Sequence, residues 1–169
     1  MSRFSIRPGT PLLETGILKL YRAVSRVPGG LARTDDEIHL PYVESWMQKC
    51  MLRGLWLVAE REGEVVGSIH AFRPDPSLFA HVYSELTIAV HPDCQNQGIG
   101  RALLLAFLED VREKHPEVLR VELVARESNQ KAIALCEKVG FVREGRMIKR
   151  IRSISGELED DIPMAWVRV

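Results

Sequence analysis

Glu85 to Leu104 reads ELTIAVHPDCQNQGIGRALL. An apolar run, Leu86 to Val90, enters a polar loop marked by Pro92 and then a helix whose first turn carries Gly98 and Gly100. A helix start leaves backbone N–H groups unpaired and carries the positive end of the helix dipole. Glycines at that point let an anion approach the main chain. The stretch reads as strand, loop and helix with a phosphate or pyrophosphate site at the turn.

Three glycine loops compete for this reading. The P-loop needs a Lys and a Ser or Thr after its last glycine, where this chain has Arg101 and Ala102. The dinucleotide fingerprint needs a third glycine where Leu103 stands, and a first glycine directly after the strand, whereas seven residues separate Val90 from Gly98. The third pattern, Q-x-x-G-x-G, is met in full by Gln95-Asn96-Gln97-Gly98-Ile99-Gly100.

Working outward, Val82 to Val90 alternates as a strand, with Val82, Ser84, Leu86, Ile88 and Val90 on one face and Tyr83, Glu85, Thr87 and Ala89 on the other. Ile99 to Lys114 carries an apolar stripe of Leu103, Leu104, Phe107, Leu108 and Val111, which predicts a helix. Leu119 to Ala125 predicts a strand. Asn129 to Val139 predicts a helix with Ser128 at its N-cap and Gly140 as its stop. Phe141 to Ile154 and Leu158 to Val167 form a closing hairpin around Ser155-Gly156. Upstream, Phe4 to Arg7 is a short strand, Leu12 to Val27 and Leu40 to Arg53 have helical spacing, and Leu55 to Glu60 with Val65 to Phe72 read as a hairpin.

The chain has 169 residues, with 23 Lys plus Arg against 23 Asp plus Glu, which fits one domain over 1–169 and gives no global pull toward nucleic acid or an anionic membrane. No apolar run is long enough for a membrane helix, and MSRFSIRPGTP has no apolar leader region. Three widely spaced cysteines, Cys50, Cys94 and Cys136, argue against a disulfide framework or a zinc knuckle. A reducing cytoplasm, no metal, no nucleic acid and no membrane are the expectations.

With these pieces in order, the chain resembles the GNAT superfamily of acyl-CoA N-acyltransferases. IAVHPDCQNQGIGRALL is similar to that family's strand, loop and helix. VELVARESNQKAIALCEKVGF is similar to its next strand and helix. The tail FVREGRMIKRIRSISGELEDDIPMAWV resembles a branch acting on small molecules and amino acids. The resemblance covers roughly 55 to 169 and more loosely the first 54 residues. It implies a mixed α/β (α+β) fold: a mostly antiparallel sheet of six to seven strands with one parallel, splayed pair, flanked by about four helices. It also implies acetyl-CoA as co-substrate and direct attack by a primary amine in a ternary complex, and dimers are common among relatives.

The resemblance assigns cofactor roles to the backbone of Ile88, Ala89 and Val90, to the loop Gln95, Asn96, Gln97, Gly98, Ile99, Gly100 and Arg101, and to Asn129. Gln97 stands where many relatives carry a basic residue. Cys136 stands where the family usually has a tyrosine acid, so Cys136, a water or Tyr83 is left to serve the departing thiol, against the reading of Cys136 as core. A general base is sought in Glu85 first and Glu122 second, with His70, His81 and His91 behind them. The acceptor side falls on about 21–46 and 146–162. There Tyr21, Tyr42 and Trp46 offer aromatic walls, Asp35 to Glu37 negative charge, and Arg146, Lys149, Arg150 and Arg152 positive charge. The reading is an N-acetyltransferase for a small amine, with an N-terminal peptide or protein acetyltransferase and a non-catalytic acyl-CoA-binding domain as alternatives.

Overall fold

The structure, a computed structural model, describes residues 3–169; Met1 and Ser2, the start of the segment read for a leader, lie outside them. The elements are β1 (Ser5–Pro8), α1 (Glu14–Ser25), α2 (Leu40–Arg53), β2 (Gly54–Arg61), β3 (Glu64–Phe72), β4 (Val82–Val90), α3 (Ile99–Lys114), β5 (Arg120–Arg126), α4 (Gln130–Lys138), β6 (Val142–Arg143), β7 (Met147–Arg152) and β8 (Leu158–Val167). They build one eight-stranded sheet in the order β1-β2-β3-β4-β5-β8-β6, with β7 also paired to β8. Among the described residues, only β4 and β5 run parallel. The expected count of six to seven strands becomes eight because the long strand read over 141–154 is broken between Arg143 and Met147. No helix is long and apolar enough to cross a membrane among the described residues.

Helices cover both faces of the sheet, so its central strands are apolar on both sides rather than alternating. Along β2, Leu57 and Ala59 enter a core with α3 and α4, while Trp56 and Val58 enter a second core with α1 and α2. The α3 stripe read from sequence is buried as expected, with Leu103, Leu104, Phe107, Leu108 and Val111 at 0% exposure. Helix α3 lies so close to β3 that a Cβ on Gly67 would sit 2.9 Å from Leu103 Cδ1. At the far end, Arg168 donates to the carbonyls of Val111, Arg112 and His115, satisfying acceptors that the helix terminus leaves open.

Two local expectations are corrected. The N-cap of α4 is Asn129, whose Oδ1 accepts from Ala132 N–H at 3.2 Å; Ser128 instead donates to Glu159. Gly140 does end the helix, at φ 103°. The strict alternation read along β4 also fails. Phe72 pairs with Ser84 but His70 pairs with Thr87, so Glu85 and Leu86 together oppose Ala71 in a bulge, with Glu85 at φ 54°. Tyr83 therefore lands in the same core as Leu86, Ile88 and Val90.

The core beneath α1 and α2 contains a buried polar stack. His70 lies 3.9 Å from Trp46, ring centroid to centroid and nearly coplanar, and its Nδ1 is 3.0 Å from the Tyr21 hydroxyl. Burial pushes the His70 pKa down to about 3, so the imidazole is neutral in the folded chain. The unfolded chain takes up this proton below about pH 6.5. The folded chain does not, so stability is full above that pH and falls as pH drops toward 3. Urea denaturation is expected to lose up to about 1.4 kcal/mol per pH unit between pH 6 and 5 from this group. His70→Gln should flatten that slope, and an unchanged slope would contradict the assignment.

Candidate active site

The site begins where β4 and β5 part. Their pairing is confined to Val82↔Arg120 and Tyr83↔Val121. Just beyond it, Ser84 Oγ donates to Glu122 Oε1 at 2.9 Å, and Arg120 Nε donates to the other Glu122 oxygen at 2.8 Å. From there to Val90, the edge of β4 that faces β5 has no strand partner among the described residues. His91 N–H donates to Val66 O at 2.9 Å, across β3. Strand alternation then turns the main chain of Thr87 and Ala89 toward β3, and that of Ile88 and Val90 toward the open side. Consistent with this, Val90 O accepts from the Gln95 side chain at 3.3 Å. Of the three backbone partners expected for a ligand, Ile88 and Val90 present their groups to the cleft, while those of Ala89 face β3.

The gap between the strands is a cavity of about 240 Å³ lined by Leu86, Ile88, Leu123, Ala125, Asn129 and Cys136 among others. Asn129 reaches it from the start of α4, and Cys136 lies two turns later on the same helix face. Cys136 is 4% exposed, and burial raises its thiol pKa to about 11. The group is therefore a neutral thiol near pH 7, a weak donor and not a thiolate nucleophile. Tyr83, the other candidate for the acid, is excluded by position. It is buried against Phe107, and its hydroxyl is 3.2 Å from His115 Nδ1, on the α3 side of the sheet.

At the head of β4 the chain turns through Pro92–Cys94 into α3. Asn96 at φ 61° and Gly98 at φ 81° take left-handed conformations that curl the loop. The backbone N–H groups of Asn96 through Arg101 have no backbone acceptor among the described residues, the first such bond being Ala102 N–H to Gly98 O. Gln95, Asn96, Gln97, Gly98 and Arg101 are exposed, whereas Ile99 is buried and anchors the turn. A Cβ built on Gly98 meets nothing within 4 Å, so the loop opens outward. This is the nest of N–H donors at a helix start that suits a phosphate group. Arg61, from the end of β2, donates to Gln97 Oε1 at 2.7 Å, which brings a cation to the loop from a distant part of the sequence.

A second cavity, about 450 Å³, lies on the α1–α2 side. One face of α2 lines it through Tyr42, Ser45, Trp46 and Lys49, and β3 supplies His70 and Phe72. The bulge presents Glu85 to it, with Thr87 Oγ1 bonded to Glu85 O at 3.0 Å. Leu31, Ala32, Thr87 and Arg150 line both cavities, so the two meet at the bulge. The α1–α2 connection is held over the opening by a bond from Arg126 to Leu31 O at 3.1 Å.

Other sequence expectations are placed differently. Tyr21 lies behind the cavity, fully buried, while Tyr42 and Trp46 line it. Asp35 to Glu37 form a turn with a capping box and an Arg26–Asp35 ion pair, away from the cavity. Of the basic tail residues only Arg150 lines the cavity, and it is paired with Asp161 at 2.7 Å; Arg146 is bonded to Glu127 and Asp160. His91 accepts from Asp93 N–H inside its own loop. Sequence reading missed Arg33, Lys49 and Phe72. The spacing of Tyr42, Trp46 and Lys49 at i, i+4 and i+7 was a usable signal, whereas nothing local marks Arg33.

A family model described as Acetyltransferase (GNAT) family matches residues 21–141. A mycothiol acetyltransferase from Thermomonospora curvata is 33% identical over 132 residues, covering 77% of this chain and 41% of that protein. A [ribosomal protein bS18]-alanine N-acetyltransferase from Escherichia coli is 40% identical over 78 residues, covering 46% of this chain and 51% of that protein. The chain thus spans about half or less of the length of these curated relatives. Among solved structures, a ribosomal-protein-alanine N-acetyltransferase from Brucella melitensis superposes with a TM-score of 0.83 at 27% identity, covering 96% of this chain and 99% of that one. A structure from Salmonella typhimurium, solved with its cofactor acetyl-CoA, shares the fold at a TM-score of 0.84 and 21% identity, covering 97% of this chain and 93% of that one. The splayed strands, the curled glycine loop and these matches lead to one conclusion, that the chain belongs to the acetyltransferase (GNAT) family.

Proposed function

We propose that the chain moves an acetyl group from acetyl-CoA to the primary amine of a small molecule. The observation that carries this reading is the meeting of the two cavities at the bulge, one suited to a pantetheine arm and the other open to an amine. The residues present fit acetyl-CoA: free N–H groups at Asn96 to Arg101 for a pyrophosphate, an unpaired edge at Ile88 and Val90 for amides, and Asn129 beside it. Acetyl-CoA supplies the activated acetyl thioester.

The chain's own residues do the rest. Ile88 and Val90 offer N–H donors that hold and polarise a carbonyl in the cleft. Glu85 faces the acceptor cavity, where it takes a proton from the incoming ammonium, directly or through water. Glu122 is bonded to Ser84 and Arg120 and serves to hold the strands at the splay. The amine nitrogen bonds the acetyl carbon as the C–S bond breaks. The leaving thiol has a pKa near 8.5, so it departs with little acid help, and the neutral Cys136 thiol is an adequate neighbour. A cytoplasmic setting goes with this reading, since Cys50, Cys94 and Cys136 are free thiols.

A second reading, acetylation of a peptide or protein N-terminus, is favoured by the names of the Escherichia coli and Brucella melitensis relatives. Thiol release from acetyl-CoA against amino acids, polyamines and short peptides separates the two. Release with small amines is the expected outcome. Release with peptides alone would favour the second reading, and binding without release would favour a non-catalytic acyl-CoA-binding domain.

Gly98→Glu places bulk and negative charge in the loop and should abolish acetyl-CoA binding by calorimetry. Unchanged affinity in a folded variant would contradict the loop's role. Cys136→Ala should keep turnover within about a factor of 10², the low end of general-acid effects, with no acetylated cysteine by mass spectrometry. Complete loss in a folded variant would make the thiol a required group.

A further inference from the structure

The acceptor cavity carries a charge pattern that the transfer chemistry alone does not require. Among the described residues Glu85 is the only carboxylate in its lining, against Arg33, Lys49 and Arg150. Arg150 is paired with Asp161 at 2.7 Å. Arg33 and Lys49 have no carboxylate partner within 4.0 Å among the described residues. Instead the Arg33 guanidinium lies 4.1 Å from the Tyr42 ring centroid, and the Lys49 ammonium lies 5.0 Å from that of Phe72. Asp75, on the loop after β3, is already held by Arg53. In the C-terminal half Arg120, Arg143, Arg146 and Arg150 are bonded to acidic groups. The acceptor cavity thus holds two cations without a carboxylate partner, in a chain of zero net charge.

Residues that line both cavities mark the end where the acetyl group arrives, and Thr87 is one of them. Glu85 is two residues from Thr87 along the bulged strand. Glu85, Arg33 and Lys49 all line the acceptor cavity and not the other, and Arg33 follows Ala32, which lines both. An ammonium at Glu85 and an anion between Arg33 and Lys49 would match the charges that line the cavity, with Trp46 and Phe72 offering apolar surface. A peptide N-terminus brings the ammonium and no adjacent anion. A polyamine would set further positive charge against the two cations.

Resting on the transferase reading above, we propose that the acceptor is an amino acid, whose amine is presented at Glu85 and whose free carboxylate is held by Arg33 and Lys49. The carboxylate gains charge-assisted hydrogen bonds that an amide in its place forfeits. Specificity of this kind acts through the penalty on the uncharged analogue as much as through the attraction.

The test is thiol release from acetyl-CoA with a set of amino acids, their carboxamides and the matching simple amines. Free amino acids should exceed their amides by about tenfold or more in kcat/KM. Arg33→Ala and Lys49→Ala should each shrink that acid-over-amide ratio, mainly through KM, and Arg33→Lys should keep part of it. Arg33 is exposed, so its variants are expected to melt with the parent chain. Equal rates for acids, amides and amines would overturn the inference and leave the transferase reading standing. An acid-over-amide ratio untouched in both alanine variants would overturn the assignment to Arg33 and Lys49. No release with any amine or peptide, while acetyl-CoA binds, would overturn the transferase reading and this inference together.

Discussion

The parting of β4 from β5 is the constraint on which the rest of the molecule depends. Two residue pairs, Val82↔Arg120 and Tyr83↔Val121, join strands that then diverge for most of their length. A sheet interior does not leave a strand edge unpaired without cause, because each open N–H or C=O costs free energy unless something bonds it. Here the open edge is bounded by α4 on one side and the α1–α2 connection on the other. The Ser84–Glu122–Arg120 bonds fasten the strands at the point of parting, so the gap opens at a defined place.

The bulge at Glu85 adds the second half of the design. Inserting one residue moves Tyr83 and Leu86 onto the same face and leaves Glu85 free to face the other. A non-glycine residue at φ 54° is strained, and such strain persists where the surroundings hold it in place. The result is a carboxylate delivered to the junction of two cavities. The floor beneath it is rigid, with His70 neutral and clasped between Trp46 and the Tyr21 hydroxyl. That neutrality matters to the cavity above: a charged imidazole there would add a third uncommitted cation beside Arg33 and Lys49.

Much of this was legible in the sequence. The glycine loop, the apolar stripe of α3 and the Gly140 stop each rest on local rules, and each forms at the expected residues. The family was legible because three motifs occur in order. What the sequence obscured is non-local. Alternation along Val82 to Val90 gives no hint of a bulge, which is set by how β3 pairs across it. Arg61 meets Gln97 only because β2 ends beside the α3 turn, so a loop that looks short of basic residues gains a cation from 36 positions away. The acidic run Asp35 to Glu37 looked like a binding surface and is a capped turn, whereas the unremarkable Arg33 lines the acceptor cavity.

The most direct measurement is amide hydrogen exchange at single-residue resolution, with and without acetyl-CoA. The account predicts that Ile88 and Val90 exchange quickly in the free chain and become protected on binding, together with the amides of Gln97 to Arg101. Thr87 and Ala89, already turned toward β3, should be protected in both states. Slow exchange at Ile88 and Val90 without ligand, or protection by acetyl-CoA that spares both, would contradict the open edge as the place where the cofactor binds.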